Sequence, residues 1–161
     1  MKLAVIAVGK LKEKYFRDAC AEYIKRMSAM TPVEIIEIEE EHLSAKDERN
    51  PVMVERSLER EGRRILNRLW EDDLTIALAV EGRTVTSEEL ARMIEPAINP
   101  PFKRCIFIIG SSHGLAPAVY AGCRMKISFG SMTFPHQLAR VILLEQIYRG
   151  QMILRGSDYH K

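Results

Sequence analysis

Nowhere in these 161 residues do eighteen apolar residues follow one another, which excludes a transmembrane helix on the sequence alone. The opening MKLAVIAVGKLKEKYF has an apolar stretch of only Leu3 to Val8, with charges directly after it. It is therefore expected to be a first strand and not a signal peptide. Cysteine is scarce: Cys20, Cys105 and Cys123 are odd in number, widely spaced and free of any CxxC pair. That pattern predicts reduced thiols in a cytoplasmic protein. The histidines have neither HExxH spacing nor cysteine partners, so no metal is expected. A GxGxxG fingerprint, a GxxxxGKS/T loop and a GxSxG elbow are all missing, which removes support for a dinucleotide fold, a P-loop enzyme and a serine hydrolase. Repeats and linkers are missing as well, so residues 1–161 are expected to form a single domain.

What is present is uneven in charge. Residues 1–100 carry 16 Lys/Arg against 20 Asp/Glu, whereas residues 101–161 carry 8 against 2, with three of the four histidines. A basic half attracts polyanions, nucleic acid most often. A modestly basic surface without a special ligand fits the count equally well.

KLAVIAV (2–8) and VEIIEI (33–38) read as strands around a helical stretch, Leu11–Met30, which Pro32 keeps from continuing. The charged segment 39–51 is expected to be an exposed, mobile loop, and 52–69 a helix with a solvated face. LTIALAV (74–80) is a third strand ended by Glu81-Gly82, and Thr86 or Ser87 caps a helix closed by Asn-Pro-Pro at 99–101. RCIFIIG (104–110) is a fourth strand, a short helix lies within 111–123, and RMKISFG (124–130) is a fifth strand. Residues 135–155 form the longest helix. Apolar strands alternating with helices predict an α/β fold, a mainly parallel sheet flanked by helices.

Three strand ends run into glycine, at Gly82, Gly110 and Gly130. Ligands bind beyond the carboxyl ends of parallel strands, so these glycines either line one crevice or serve as ordinary turns. The connection FGSMTFPHQ (129–137) holds no charge before His136. Exposed connections are normally polar. Met132 and Phe134 therefore imply a loop folded inward, into the core or around an apolar ligand such as an adenine ring. On the last helix, Leu138, Val141, Ile142, Tyr148, Met152 and Ile153 share one face, with Leu143, Ile147 and Leu154 roughly opposite. Such a helix is expected to be buried twice, once on its own sheet and once on another subunit. Glu145 and Arg149 lie within the main apolar face, either as a structural ion pair or as an arginine kept for an anionic substrate. His136 and Arg140 share the other face, and His113 follows the fourth strand.

The stretches KLAVIAVGK, VEG, IIGSSHGL, SFGSMTFPHQLARVILLEQIYRG and the terminal RGSDYHK resemble, in order and almost end to end, the ribosomal RNA large-subunit methyltransferase H family of the SPOUT superfamily. The string from Met132 to Lys161 is highly specific to that family. The resemblance implies a SPOUT-type fold with a C-terminal trefoil knot. It also implies a homodimer that transfers a methyl group from S-adenosylmethionine to N3 of a pseudouridine in large-subunit ribosomal RNA on the assembled ribosome. By motif, the cofactor would be held by Leu78, Gly110, Phe129, Gly130, Ser131, Met132, Thr133 and Phe134. Arg149, Tyr159, His160 and His136 would carry the catalytic roles. Arg149 would face the target nucleotide, and the tail would reach toward the partner's pocket. Two departures stand out: the family usually has Gly-Gly where this chain has Gly110-Ser111, which would put a side chain beside the methionine end of the cofactor. It often has Glu or Asn at the position of His113, so no acid is available there. A non-catalytic RNA- or ribosome-binding factor on the same scaffold is the alternative reading.

Overall fold

The computed structural model describes residues 1–96, 99 and 101–161. Five strands, β1 (Lys2–Val8), β2 (Val33–Ile38), β3 (Asp73–Thr84), β4 (Arg104–Ile109) and β5 (Met125–Ser128), form one sheet in the order β2-β1-β4-β3-β5. All pairings are parallel. The helices are α1 (Lys14–Ser28), α2 (Pro51–Leu66), α3 (Ser87–Met93), α4 (Pro117–Gly122) and α5 (His136–Leu154), with a short 3-10 turn at Asp47–Arg49.

Strand periodicity explains the layering. In β1 and β4, Leu3, Val5, Ala7, Cys105, Phe107 and Ile109 face one side and pack with Met27 of α1, Leu90 of α3 and Leu143, Leu144 and Ile147 of α5. The alternate residues Ala4, Ile6, Val8, Ile106 and Ile108 face the other side and pack with Ile65 of α2 and Val119 of α4. Successive side chains of a strand point to opposite faces, so a strand apolar at every position must be covered twice. Glycine sets two close approaches: a Cβ at Gly150 would lie 3.0 Å from Ile94, and one at Gly62 would lie 2.9 Å from Ala116. These positions bring α5 against α3 and α2 against α4.

Several local expectations need correction. β3 does not stop at Val80. It continues to Thr84, with Leu78 and Arg83 both in register with Ile127, so Ala79–Gly82 bulge out of the sheet. Gly82 permits this, because a Cβ there would lie 2.5 Å from the Ile127 backbone. α3 starts as expected, with a Thr86–Glu89 capping box, but it ends at Met93, ahead of the Asn-Pro-Pro at 99–101 and with Pro96 two residues beyond its C-cap Ile94. The Asn99 side chain donates to the carbonyls of Arg92, Met93 and Glu95, and Pro100 lies outside the described residues. Segment 39–50 is tied down at its start: Arg60 and Arg64 bind the Glu41 carboxylate, and Arg64 also donates to the Glu39 carbonyl. α2 likewise has more than a solvated face, since Ser57, Glu61, Gly62 and Ile65 are buried.

The core face of α5 also differs from the expectation. Leu143 and Ile147 are buried on the sheet side together with Leu144, but Leu154 is exposed. Arg140 lies on the same buried side, 2% exposed, donating to Glu37 at 2.7 Å and to the Gly9 carbonyl at 2.8 Å. It pins the start of α5 to the ends of β1 and β2, at the sheet edge that forms the site. Leu138, Val141, Ile142, Tyr148, Met152 and Ile153 remain half-buried.

Candidate cofactor crevice and tail cluster

Because every strand runs the same way, the carboxyl ends of β3, β4 and β5 open at one edge of the sheet. A crevice of about 710 Å³ lies there, between the bulge Ala79–Glu81, the turn after β4 and the β5–α5 connection. Its wall is largely apolar, with Leu78, Ile109, Ile127, Phe129, Met132 and Phe134. Size and lining suit a ligand of drug-like dimensions with an apolar ring.

Seven of the eight residues assigned to the cofactor by motif line this crevice, and the eighth, Ser131, does not. Met132, expected to fold inward, is instead 70% exposed, and only Phe134 of the pair is half-buried. The β5–α5 connection is shaped by Ser128, whose hydroxyl accepts from the Gly130 N–H at 3.1 Å and donates to the Gly130 carbonyl at 2.8 Å. Gly130 sits at φ +127, a conformation that side chains rarely adopt.

Gly110 has a different reason to be glycine than ligand approach. The next four residues fold into a tight turn in which Ser111 N–H donates to the Gly114 carbonyl at 3.2 Å and Gly114 N–H to the Ser111 carbonyl at 3.0 Å. A Cβ on Gly110 would lie 2.1 Å from the Gly114 oxygen. Nor does Ser111 leave its hydroxyl free beside the ligand. It donates at 3.1 Å to Glu61, which is 2% exposed and also accepts the Glu41 N–H at 2.9 Å. Burial pushes the Glu61 carboxyl up, and the two hydrogen bonds only partly offset this. Glu61 was hidden in the sequence by its highly charged neighbourhood. Its position on the buried stripe of α2, one residue before Gly62, is the signal that marks it.

His136 and His113 both line the crevice. Burial lowers the His136 pKa, Glu40 opposes this, and Arg140 and Lys12 add to it, so the ring favours its neutral form. Its Nε2 is buried without a protein partner. A neutral imidazole with an open nitrogen in an apolar crevice suits a polar edge of a heterocycle. Tyr120 and Ala139 also line the wall. Sequence reasoning missed both, because neither carries a motif.

Arg149, Tyr159 and His160 form a second cluster and do not line the crevice of their own chain. Glu145 is its hub: Arg149 donates to one carboxylate oxygen through two nitrogens, at 3.0 and 2.6 Å, and the Tyr159 hydroxyl donates to the same oxygen at 3.2 Å. This keeps the ion-pair reading of Glu145–Arg149, yet one nitrogen of Arg149 remains outside the pair, 3.5 Å from His160 Nδ1. The Tyr159 ring meets Tyr148 edge-on at 4.9 Å and lies 4.8 Å below the Arg149 guanidinium. Burial first and Glu145 second raise the Tyr159 pKa, so its phenol stays a donor. His160 Nε2 lies 2.8 Å from the Glu88 carboxylate of α3. That carboxyl is held down to about 2, by the Thr86 hydroxyl first, then by its own backbone N–H and by His160. Ala139 lines the crevice and Arg149 stands ten residues further along α5, about 15 Å of helix. Among the described residues, no His, Cys, Asp or Glu group is arranged to hold a metal, and no helix is long and apolar enough to cross a membrane.

Comparison with known proteins bears on this arrangement. A family model described as a predicted SPOUT methyltransferase matches residues 1–160. The chain is 47% identical over 161 residues to the ribosomal RNA large subunit methyltransferase H of Lactococcus lactis subsp. cremoris, covering all of both chains. It is 44% identical over 165 residues to the protein of the same name from Bacillus pumilus, again covering all of both. Among solved structures, a probable methylase family protein from Haemophilus influenzae matches with a TM-score of 0.56 at 9% identity, over 99% of this chain and 70% of that one. A probable methyltransferase from Bordetella pertussis matches with a TM-score of 0.55 at 10% identity, over 93% of this chain and 94% of that one. The solved structures share the fold alone.

Proposed function

This chain belongs to the SPOUT methyltransferase family, and on that premise we propose that it methylates N3 of a pseudouridine in large-subunit ribosomal RNA, using S-adenosylmethionine. The observation that carries the proposal is the largely apolar crevice at the ends of β3, β4 and β5, lined by seven of the eight residues that the family motif assigns to the cofactor. Leu78, Phe129, Met132 and Phe134 would enclose the adenosyl portion, with His136 Nε2 as an open polar contact. Bound there, the cofactor supplies an electrophilic methyl group on a sulfonium. Transfer of that methyl is an in-line displacement, so the protein chiefly aligns donor and acceptor.

The remaining chemistry belongs to the tail cluster. N3 of the target base becomes nucleophilic as its proton leaves. His160 takes that proton, imidazole being the side chain that most often serves as a general base. The nitrogen of Arg149 left outside the Glu145 pair stabilises charge developing on the base oxygens. Tyr159, kept protonated, orients the base. The crevice and the tail cluster stand apart in one chain, and the half-buried apolar face of α5 supports a homodimer in which each tail completes the partner's site. The family's trefoil knot belongs to the same proposal. Ribosome binding would draw on the basic half of the sequence and weaken with salt.

Calorimetric titration with S-adenosylmethionine, followed by methyl transfer to ribosomes that lack the modification, tests the proposal. Saturable binding and one methyl group per large subunit are expected. Ribosome binding without saturable cofactor binding would favour a non-catalytic binding factor on this scaffold.

A further inference from the structure

Resting on the assignment of His160 as the base, we infer that Glu88 is a positioning residue that fixes the His160 tautomer and makes Nδ1 the nitrogen that receives the proton. The two side chains come from distant parts of the chain, Glu88 from the first turn of α3 and His160 from the tail, and meet at 2.8 Å through Nε2. A carboxylate at that distance accepts a proton-bearing nitrogen, so Nε2 carries the hydrogen in the neutral ring. The other nitrogen faces the Arg149 guanidinium at 3.5 Å. With the hydrogen on Nε2, the lone pair of the neutral ring is on Nδ1, beside the group proposed to stabilise the substrate anion.

Glu88 is itself held in place. Thr86 begins the helix through the capping box with Glu89, and Arg83 binds Glu89 at 2.7 Å, which fixes the turn that presents Glu88. Because Glu88 and His160 belong to the same chain, the pair enters a neighbouring crevice as one unit. The proton balance is simple. The N3–H proton passes to Nδ1, the N3 lone pair forms the bond to the methyl carbon, and the sulfur–carbon bond breaks with its electrons remaining on sulfur. The positive charge lost from the sulfonium appears on the imidazolium, where Glu88 faces it.

The test is a double-mutant cycle on the full-length protein: wild type, Glu88→Ala, His160→Ala and the double variant, in single turnover at saturating S-adenosylmethionine and ribosomes. Glu88→Ala is expected to slow methyl transfer about tenfold, a fraction of the gain general-base catalysis supplies, with cofactor affinity within about twofold of wild type. His160→Ala should be slower still, and adding Glu88→Ala to it should change nothing further. Glu88→Gln, which keeps an acceptor for Nε2 but loses the charge that faces the imidazolium, should recover only part of the rate. Full activity in Glu88→Ala beside a slow His160→Ala overturns the inference and leaves the base assignment standing. Equal slowing by Glu88→Ala with and without His160 also overturns it, assigning Glu88 to the stability of α3. Full activity in His160→Ala overturns both.

Discussion

Replacing Gly110 by Ala probes the floor of the crevice directly. The new Cβ would fall 2.1 Å from the Gly114 oxygen and 2.4 Å from its carbonyl carbon, contacts with backbone that no rotamer relieves. The turn 111–114 must therefore open, at the expense of its two internal hydrogen bonds at 3.2 and 3.0 Å. Each such bond contributes about 1 kcal/mol net, and forcing a methyl group into packed structure costs about 1–3 kcal/mol more. The expected destabilisation is about 3–5 kcal/mol, read as a lower urea midpoint at unchanged slope. Opening the turn also pulls Ser111 from Glu61, so S-adenosylmethionine affinity should fall at least about tenfold even under conditions where the variant is folded. Ala at Ser112, exposed in the same turn, is the control and should change stability by less than about 0.5 kcal/mol. A Gly110→Ala protein as stable as wild type, with full cofactor affinity, would refute the reasoning that close backbone packing shapes this floor.

Arg140→Met should destabilise by about 3 kcal/mol in denaturant melts, because Glu37 and the Gly9 carbonyl lose a buried cationic partner. Deleting Tyr159 to Lys161 should abolish methyl transfer while calorimetry shows cofactor affinity within about twofold of wild type, since none of these residues lines the crevice. The lowered pKa of His136 has a pH signature with a definite sign. Between the folded value and the unfolded value of about 6.5, the unfolded chain binds more protons, so this histidine makes stability fall as pH drops through that window. Stability of wild type relative to His136→Gln, measured by denaturant melts from pH 8 to 5, should therefore decline on acidification, and a flat difference would contradict the burial argument.

How much of this was legible in the sequence differs from element to element. β1 has the bounds that its apolar run implies, because burial on both faces writes itself into nearly every residue. The edge strand β2 has the bounds expected of VEIIEI although only Val33 and Ile38 are buried. The capping box at Thr86 was equally plain, being local chemistry over four residues. The bulge in β3 was not, since a glycine reads as a strand end when the partner pressing on it, Ile127, lies more than forty residues away. Nor was the burial of Arg140 legible: its partners, Glu37 and Gly9, are more than a hundred residues distant, and an arginine in a helix reads as surface. The crevice loop was recognisable because FGSMTFP lacks charge where a connection ordinarily carries it, and the pairing of Glu145 with Arg149 followed from helical spacing. Which residues meet the tail was invisible, because Glu88 is one of many acids at solvated positions until α3 and the chain end are brought together.

The central claim is that this chain places a methyl group on N3 of a pseudouridine in large-subunit ribosomal RNA. Mass mapping of modified nucleotides, in ribosomes from cells with and without the gene and after treating the latter with purified protein and S-adenosylmethionine, tests it most directly. One large-subunit pseudouridine that loses a single methyl group without the gene, and regains it from the purified protein, is the predicted result. Identical modification maps with and without the gene, or a methyl group restored only on another nucleotide, would contradict it.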